Sequence, residues 1–233
     1  MKWSQFFTSS VGKKLVMSLT GLFLTSFLVV HVGLNACIWA NDNGEMFNMA
    51  AHFMGTMVVI RIMEWGLFLF FFIHIIQGFV LEARNLSRRG QGYAINPGNK
   101  TSKWYSRTMG LLGTLLLLFL IMHINHFWIS SRFGGMWNVM PLAEVDYDGK
   151  TYHNLYAQMV QVFQNPFIVV LYVLGCLSLA YHLMHGFQSA FRTLGVANNR
   201  YLGILKSVGV GFSIVVSLAF AMMPISFYLR WVE

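Results

Sequence analysis

Five apolar stretches, each about 20 residues or longer and almost free of charge, set the main limit on what this chain can fold into. They run approximately over residues 15–39, 55–81, 108–129, 166–187 and 202–228. A run of that length spans a hydrocarbon core about 30 Å thick when it is helical, and a helix satisfies its own backbone N–H and C=O groups where no water is present. The expected fold is all-α: residues 1–233 as one membrane domain, an integral bundle of five transmembrane helices. Residues 1–14, where Trp3, Phe6 and Phe7 stand among polar neighbours, read as an interfacial lead-in to the first span. No signal-peptide cleavage site is evident after the first run, so it reads as a retained helix.

Composition agrees. The chain is 56% hydrophobic and 10% charged, against about 25% charged residues in an ordinary soluble domain. Its net charge of +8 could point to nucleic acid, but the basic residues sit in short blocks at the ends of apolar runs, which is a topology signal of membrane proteins. Nucleic acid is therefore excluded and lipid is the expected surround. The two cysteines, Cys37 and Cys176, lie in or beside apolar runs and provide no disulfide framework, zinc knuckle or iron–sulfur site.

The distribution of Lys and Arg gives the orientation. Lys2, Lys13 and Lys14 precede the first span, and Arg84, Arg88, Arg89, Lys100, Lys103 and Arg107 join the second to the third. Arg192, Arg200 and Lys206 join the fourth to the fifth. The opposite side holds only Arg61, Arg132, Lys150 and Arg230, beside Asp42, Glu45, Glu144, Asp146 and Asp148. The N-terminus is expected in the cytoplasm and the C-terminus outside.

Against this background four histidines stand out, one in each of the first four spans: His31, His74, His123 and His182. A polar, ionisable side chain in hydrocarbon is costly and marks function by default. His31 lies 17 residues past Lys14 and His123 lies 16 past Arg107, so each sits about 25 Å from the basic flank at 1.5 Å per residue. His74 and His182 each precede a basic residue, Arg84 and Arg192, by 10 positions, or about 15 Å. The matched depths define two pairs, one shallow and one deep. Two imidazoles on opposite sides of an iron leave no open coordination position, which suits electron transfer. Metal or haem ligation is therefore expected, with two buried bis-histidine haems as the leading candidate. A lone intramembrane histidine is as readily a packing residue, and the case rests on four at matched depth.

Two further patterns support the pairs. His74-Ile75-Ile76-Gln77-Gly78 and His182-Leu183-Met184-His185-Gly186 both read His-x-x-x-Gly. Gly78 and Gly186 would remove bulk one turn from the ligand, where a flat macrocycle must lie, although small residues also let helices pack closely in lipid. His126 and His185 each follow a proposed ligand by three residues, and depth alone favours His123 and His182 over them. Arg61 and Glu64, three apart near the start of span two, are expected to form a partly buried ion pair. Arg61, Glu64, His52 and His126 are the candidates for contact with a quinone headgroup.

Taken together, one histidine on each of the first four of five spans, Ala50-Ala51-His52-Phe53-Met54, Arg61-Ile62-x-Glu64 and the two His-x-x-x-Gly motifs resemble a known family. It is the dihaem cytochrome b anchor of succinate:quinone oxidoreductases, in its single-polypeptide, five-helix form found in succinate dehydrogenases and quinol:fumarate reductases. The resemblance covers all five spans. It implies that His74 and His182 ligate the haem nearer the cytoplasm and that His31 and His123 ligate the distal one. The family places its fourth ligand thirteen residues before a helix-exit glycine, a spacing kept here by His182 and Gly195.

The implied partners are an FAD flavoprotein carrying the dicarboxylate site and an iron–sulfur subunit, both on the cytoplasmic face. The implied substrate is a membrane quinone, menaquinone or ubiquinone, and the implied location is the bacterial cytoplasmic membrane. Some members carry a glutamate two residues before the fourth ligand, where this chain has Ala180. Two other readings remain. One is the dihaem anchor of a nitrate reductase, hydrogenase or formate dehydrogenase, although such families tend to place two ligands on one helix. The other is a haem-free transporter, for which interrupted spans in matching halves would be expected.

Overall fold

A computed structural model of the chain describes residues 9–89, 107–136, 139–196 and 198–232. Among them five helices are long and apolar enough to cross a membrane, and the described residues are all-α apart from one small hairpin. Helix α1 (Ser10–Asn35) runs on into a 3-10 turn, Ala36–Ala40. Helix α2 (Glu45–Thr56) is followed by α3 (Val58–Arg89). Helix α4 (Met109–His123) passes into a π-helical stretch, Ile124–Ile129, and a last α turn, α5 (Ser130–Phe133). Strands β1 (Glu144–Tyr147) and β2 (Lys150–His153) precede α6 (Leu155–Phe163), α7 (Pro166–Thr193) and α8 (Asn199–Tyr228).

The helices outrun the apolar stretches. Helix α1 begins at Ser10 rather than near residue 15, so part of the expected lead-in belongs to the span; residues 1–8 lie outside the described residues. Helix α3 continues to Arg89, two turns past residue 81. Charged residues propagate a helix well once it leaves hydrocarbon, since Glu and Arg have good helix propensity. At the other end residue 55 belongs to α2. The chain turns a corner at Met57, which is extended (φ −67°, ψ 122°) yet still donates its N–H to the Phe53 carbonyl at 3.2 Å. Helix α7 ends where Gly195, at φ +93°, bonds back to Arg192 and Val196 bonds back to Phe191. That is a Schellman close, and it needs the left-handed conformation glycine accepts freely.

The hairpin was not anticipated from the apolar pattern. It pairs Tyr147 with Lys150 across Asp148-Gly149, both at positive φ (53° and 78°). Such a pair is the two-residue turn whose twist matches antiparallel strands.

The chain divides into two compact units. The first comprises residues 1–27, 65–115 and 178–215. Small residues make some of its helix contacts, beside aromatic pairs such as Phe23 with Phe70: the Ser178 hydroxyl donates to the Leu112 carbonyl at 3.1 Å, and Gly209 lies directly against the Phe187 ring. Small residues let helices approach where no hydrophobic force drives them together in lipid.

The second unit comprises residues 28–64, 116–177 and 216–233 and has an aromatic core of Phe47, Tyr156, Phe163, Tyr172 and Phe227 closed by Ile38, Met159 and Met223. At its edge Asn48, fully buried, donates to Tyr147 Oη (3.0 Å) and Asn154 Oδ1 (3.1 Å) and accepts the Tyr156 N–H (3.0 Å). This one side chain ties α2, the hairpin and α6 together. Gly44, at φ +84°, sits so close to the Tyr156 ring that no Cβ would fit.

Candidate functional site

In the first unit α3 presents His74 and α7 presents His182, with ring centres 6.2 Å apart and planes at 65°. Helix α1 backs His74. The Thr20 hydroxyl lies 3.2 Å from His74 Nδ1, and a Cβ on Gly21 would come to 3.3 Å from His74 Cε1. Helix α4 backs His182 more loosely, a Cβ on Gly113 reaching to 3.8 Å of its Cε1. His182 Nδ1 and Gln77 Oε1 are buried without a hydrogen-bond partner. Of the two glycines in the His-x-x-x-Gly motifs, Gly186 would carry a Cβ into open space and Gly78 would bring one against Met17 Cε at 3.4 Å. The glycines that border the imidazoles, Gly21 and Gly113, carry no signal in the sequence because neither lies in a repeated motif.

In the second unit α1 presents His31 and α4 presents His123, with ring centres 5.8 Å apart and planes at 85°. The Asn35 amide donates to the His31 carbonyl at 2.8 Å and lies 3.3 Å from His31 Nδ1. Phe220 packs against the His31 ring, tilted, at 5.4 Å. His123 stacks on Phe119 (5.7 Å, 21°), meets Phe127 and Tyr172 edge-on, and has a buried Nδ1 without a hydrogen-bond partner. The structure thus brings together the same two pairs that depth matching defined.

The spare histidines differ from these four. His126 lies parallel to the Tyr172 ring (9°), with Nδ1 3.0 Å from Tyr172 Oη, and its carbonyl accepts from Gln158 Nε2. It is already partnered. His185 is half-buried one turn along α7. His52 lies on α2 and meets Tyr152 edge-on at 5.0 Å.

The expected Arg61–Glu64 pair is present at 2.6 Å, within a larger cluster. Glu64 Oε1 also accepts from Trp128 Nε1 and from Arg132 Nε (3.2 Å), and Oε2 accepts from Arg132 Nη2 (3.3 Å). Arg132 reads in the sequence as a loop residue before Gly134-Gly135. The π stretch and the turn after it instead carry it into the last turn of the third span. A Cβ on Gly55 would approach its Nη1 at 3.2 Å, so a small residue leaves room for the guanidinium. Among the described residues no three or more His, Cys, Asp or Glu side chains are grouped to hold a metal ion by themselves. The histidines come in twos.

Fold and site together define a class: an integral α-helical membrane protein of five spans that presents imidazoles in pairs. The chain is 26% identical over 178 residues to the succinate dehydrogenase cytochrome b558 subunit of Bacillus subtilis (strain 168), covering 76% of this chain and 73% of that protein. This similarity supports the resemblance drawn from the motifs, to the cytochrome b membrane subunits of succinate:quinone oxidoreductases. That relative is a subunit of an enzyme complex. No family model and no solved structure matches the chain. Five apolar helices and a Bacillus relative support an integral protein of the bacterial cytoplasmic membrane.

Proposed function

We propose that the chain is the membrane-anchor and electron-transfer subunit of a succinate dehydrogenase or fumarate reductase, working between an iron–sulfur subunit and membrane quinone through two bis-histidine b haems. The observation that carries this reading is the pair of imidazole pairs, each drawn from two different spans, in a chain similar to a cytochrome b558 subunit. A metal held between two imidazoles, with bonds of about 2 Å and ring centres about 1 Å beyond each nitrogen, separates those centres by about 6 Å. The spacings of 5.8 and 6.2 Å fit. So does a donor set of two, which suits an iron that a macrocycle already holds. Open space beside Gly186 and the unpartnered Nδ1 atoms of His123 and His182 are consistent with it.

On this reading His74 and His182 hold the proximal haem, and His31 and His123 the distal one. Haem b, when bound, supplies one-electron transfer that the side chains of this chain cannot provide. The protein supplies orientation and exclusion of water. Phe119, Phe127 and Phe220 wall the second pair, and Asn35 steadies the His31 ring.

Quinone is assigned to the outer side, with His52, Arg61, Glu64 and His126 as the side chains to examine. Glu64 already accepts from two arginines and an indole, so its part there is to fix Arg61 and Arg132 rather than to meet a headgroup unaided. The flavoprotein and iron–sulfur partners belong on the basic, cytoplasmic face, where the charge pattern also puts the N-terminus.

A reduced-minus-oxidised spectrum of the purified chain, with a pyridine haemochrome count, tests the proposal. Two b haems per chain are expected, with His31→Ala and His123→Ala losing the same one. A chain without b haem would sink the reading, and loss of a haem in His126→Ala but not in His123→Ala would overturn the ligand in span three. Reduction of the haems by succinate in a preparation that copurifies with a flavoprotein checks the partner assignment.

A further inference from the structure

Thr20 sits on α1 with only 2% of its surface exposed, in a mostly apolar span. Its hydroxyl oxygen lies 2.8 Å from the Val16 carbonyl, 3.1 Å from the Met17 carbonyl and 3.2 Å from His74 Nδ1. A hydroxyl has one hydrogen and two lone pairs. Two oxygens 2.8 Å apart repel unless a hydrogen lies between them, so the hydroxyl proton is committed to the helix's own carbonyls, as is usual for a helical threonine. What Thr20 offers His74 is therefore a lone pair, and Nδ1 of His74 must be the protonated nitrogen. The other nitrogen, Nε2, then keeps its lone pair for a metal.

The next residue makes the same contact possible from the backbone. A Cβ on Gly21 would stand 3.3 Å from His74 Cε1, tighter than ordinary packing, so its absence lets α1 come up to the imidazole edge. Among the described residues the opposing ring has no such acceptor, its Nδ1 being buried without a partner.

We propose that Thr20, seated by Gly21, is the positioning residue that fixes the tautomer and orientation of His74 and sets the redox potential of the haem held by His74 and His182. The inference rests on the haem reading given above. A hydrogen bond accepted from Nδ1–H pushes electron density toward Nε2 and stabilises ferric over ferrous iron. Among the described residues one ring of the pair has this support, from the Thr20 hydroxyl with the Met17 carbonyl beside it, and the other has none on Nδ1, so losing the hydroxyl should shift one haem and not the other.

The test is a redox titration of the b haems in the intact complex, comparing wild type with Thr20→Val, which keeps the shape and loses the hydroxyl, and Thr20→Ser, which keeps the hydroxyl. In Thr20→Val one haem is expected to rise in midpoint potential while the other stays put. A tenfold loss of ferric preference would be read as about 59 mV for one electron. The low-spin ferric EPR signal of that haem should move with it, and Thr20→Ser should restore both. Should Thr20→Val accumulate poorly, Thr20→Ala is expected to give the same shift.

Unchanged potentials and EPR in Thr20→Val or Thr20→Ala would overturn the proposal, as would Thr20→Ser behaving like Thr20→Val. In either case His74→Ala would still lose one haem, leaving the haem reading intact. A haem count that does not fall in the His74→Ala complex would overturn both.

Discussion

Glu64 carries four donor contacts on its two oxygens, from Arg61, Trp128 and the Nε and Nη2 groups of the Arg132 guanidinium, at a side chain 16% exposed. Charge-assisted hydrogen bonds of this kind are worth about 1.5–3 kcal/mol each in a shielded place, and less where water reaches, as at Arg61, 39% exposed. Replacing Glu64 by Gln sets an amide N–H₂ against two guanidinium groups. We expect a fall in stability of about 2–3 kcal/mol, read by thermal unfolding in detergent, against about 1 kcal/mol for Trp128→Phe. The sequence displayed half of this cluster, because Arg61 and Glu64 are three residues apart on one helix face. Arg132 and Trp128 are 64 or more positions away, and no local pattern announces a partner at that distance. The same contrast holds for the imidazoles. Four histidines are conspicuous against apolar neighbours, whereas Thr20 and Asn35 are ordinary residues in a membrane helix, and only the structure shows which ring each one faces.

At the scale of elements, the π stretch Ile124–Ile129 is the feature that no periodicity could reveal, since α4 is apolar on every side and gives the pattern no phase. A π turn accommodates one extra residue between flanking turns that remain α-helical. Removing lipid-exposed Asn125 is therefore expected to relax the stretch into plain α-helix and leave His123 below it, and Trp128 and Arg132 above it, near their present partners. Removing Leu118, also exposed at 60%, should instead rotate His123 by about 100° relative to Gly113. Expression and thermal unfolding of the two deletions separate these cases, and equal damage from both would argue against the π assignment. Other element features were open to reading. The Asp148-Gly149 turn is a strong hairpin signal, but it lies in a short polar segment that draws little attention beside five spans. Gly195, singled out by its spacing from His182, does close α7.

For the whole molecule, the two units each contain one imidazole pair: His74 with His182 in the first and His31 with His123 in the second. The five spans were legible because length and apolarity are requirements imposed by the bilayer itself. The contact that makes each pair was not, because it depends on how helices distant in sequence meet. Orientation is a property of the entire charge distribution and can be tested at that scale. A phosphatase that folds only outside the cytoplasm should be active when fused to the C-terminus and inactive when placed between the second and third spans, and the opposite pattern would invert the topology.

The hairpin offers a practical consequence. Its tip, Asp148-Gly149, is solvent-exposed and joined to the rest of the chain through Asn48 rather than through either histidine pair. Exposed turn tips are where inserted sequence is best tolerated. An affinity epitope spliced there would give a handle on one face alone, able to anchor the protein to a surface with every molecule facing the same way.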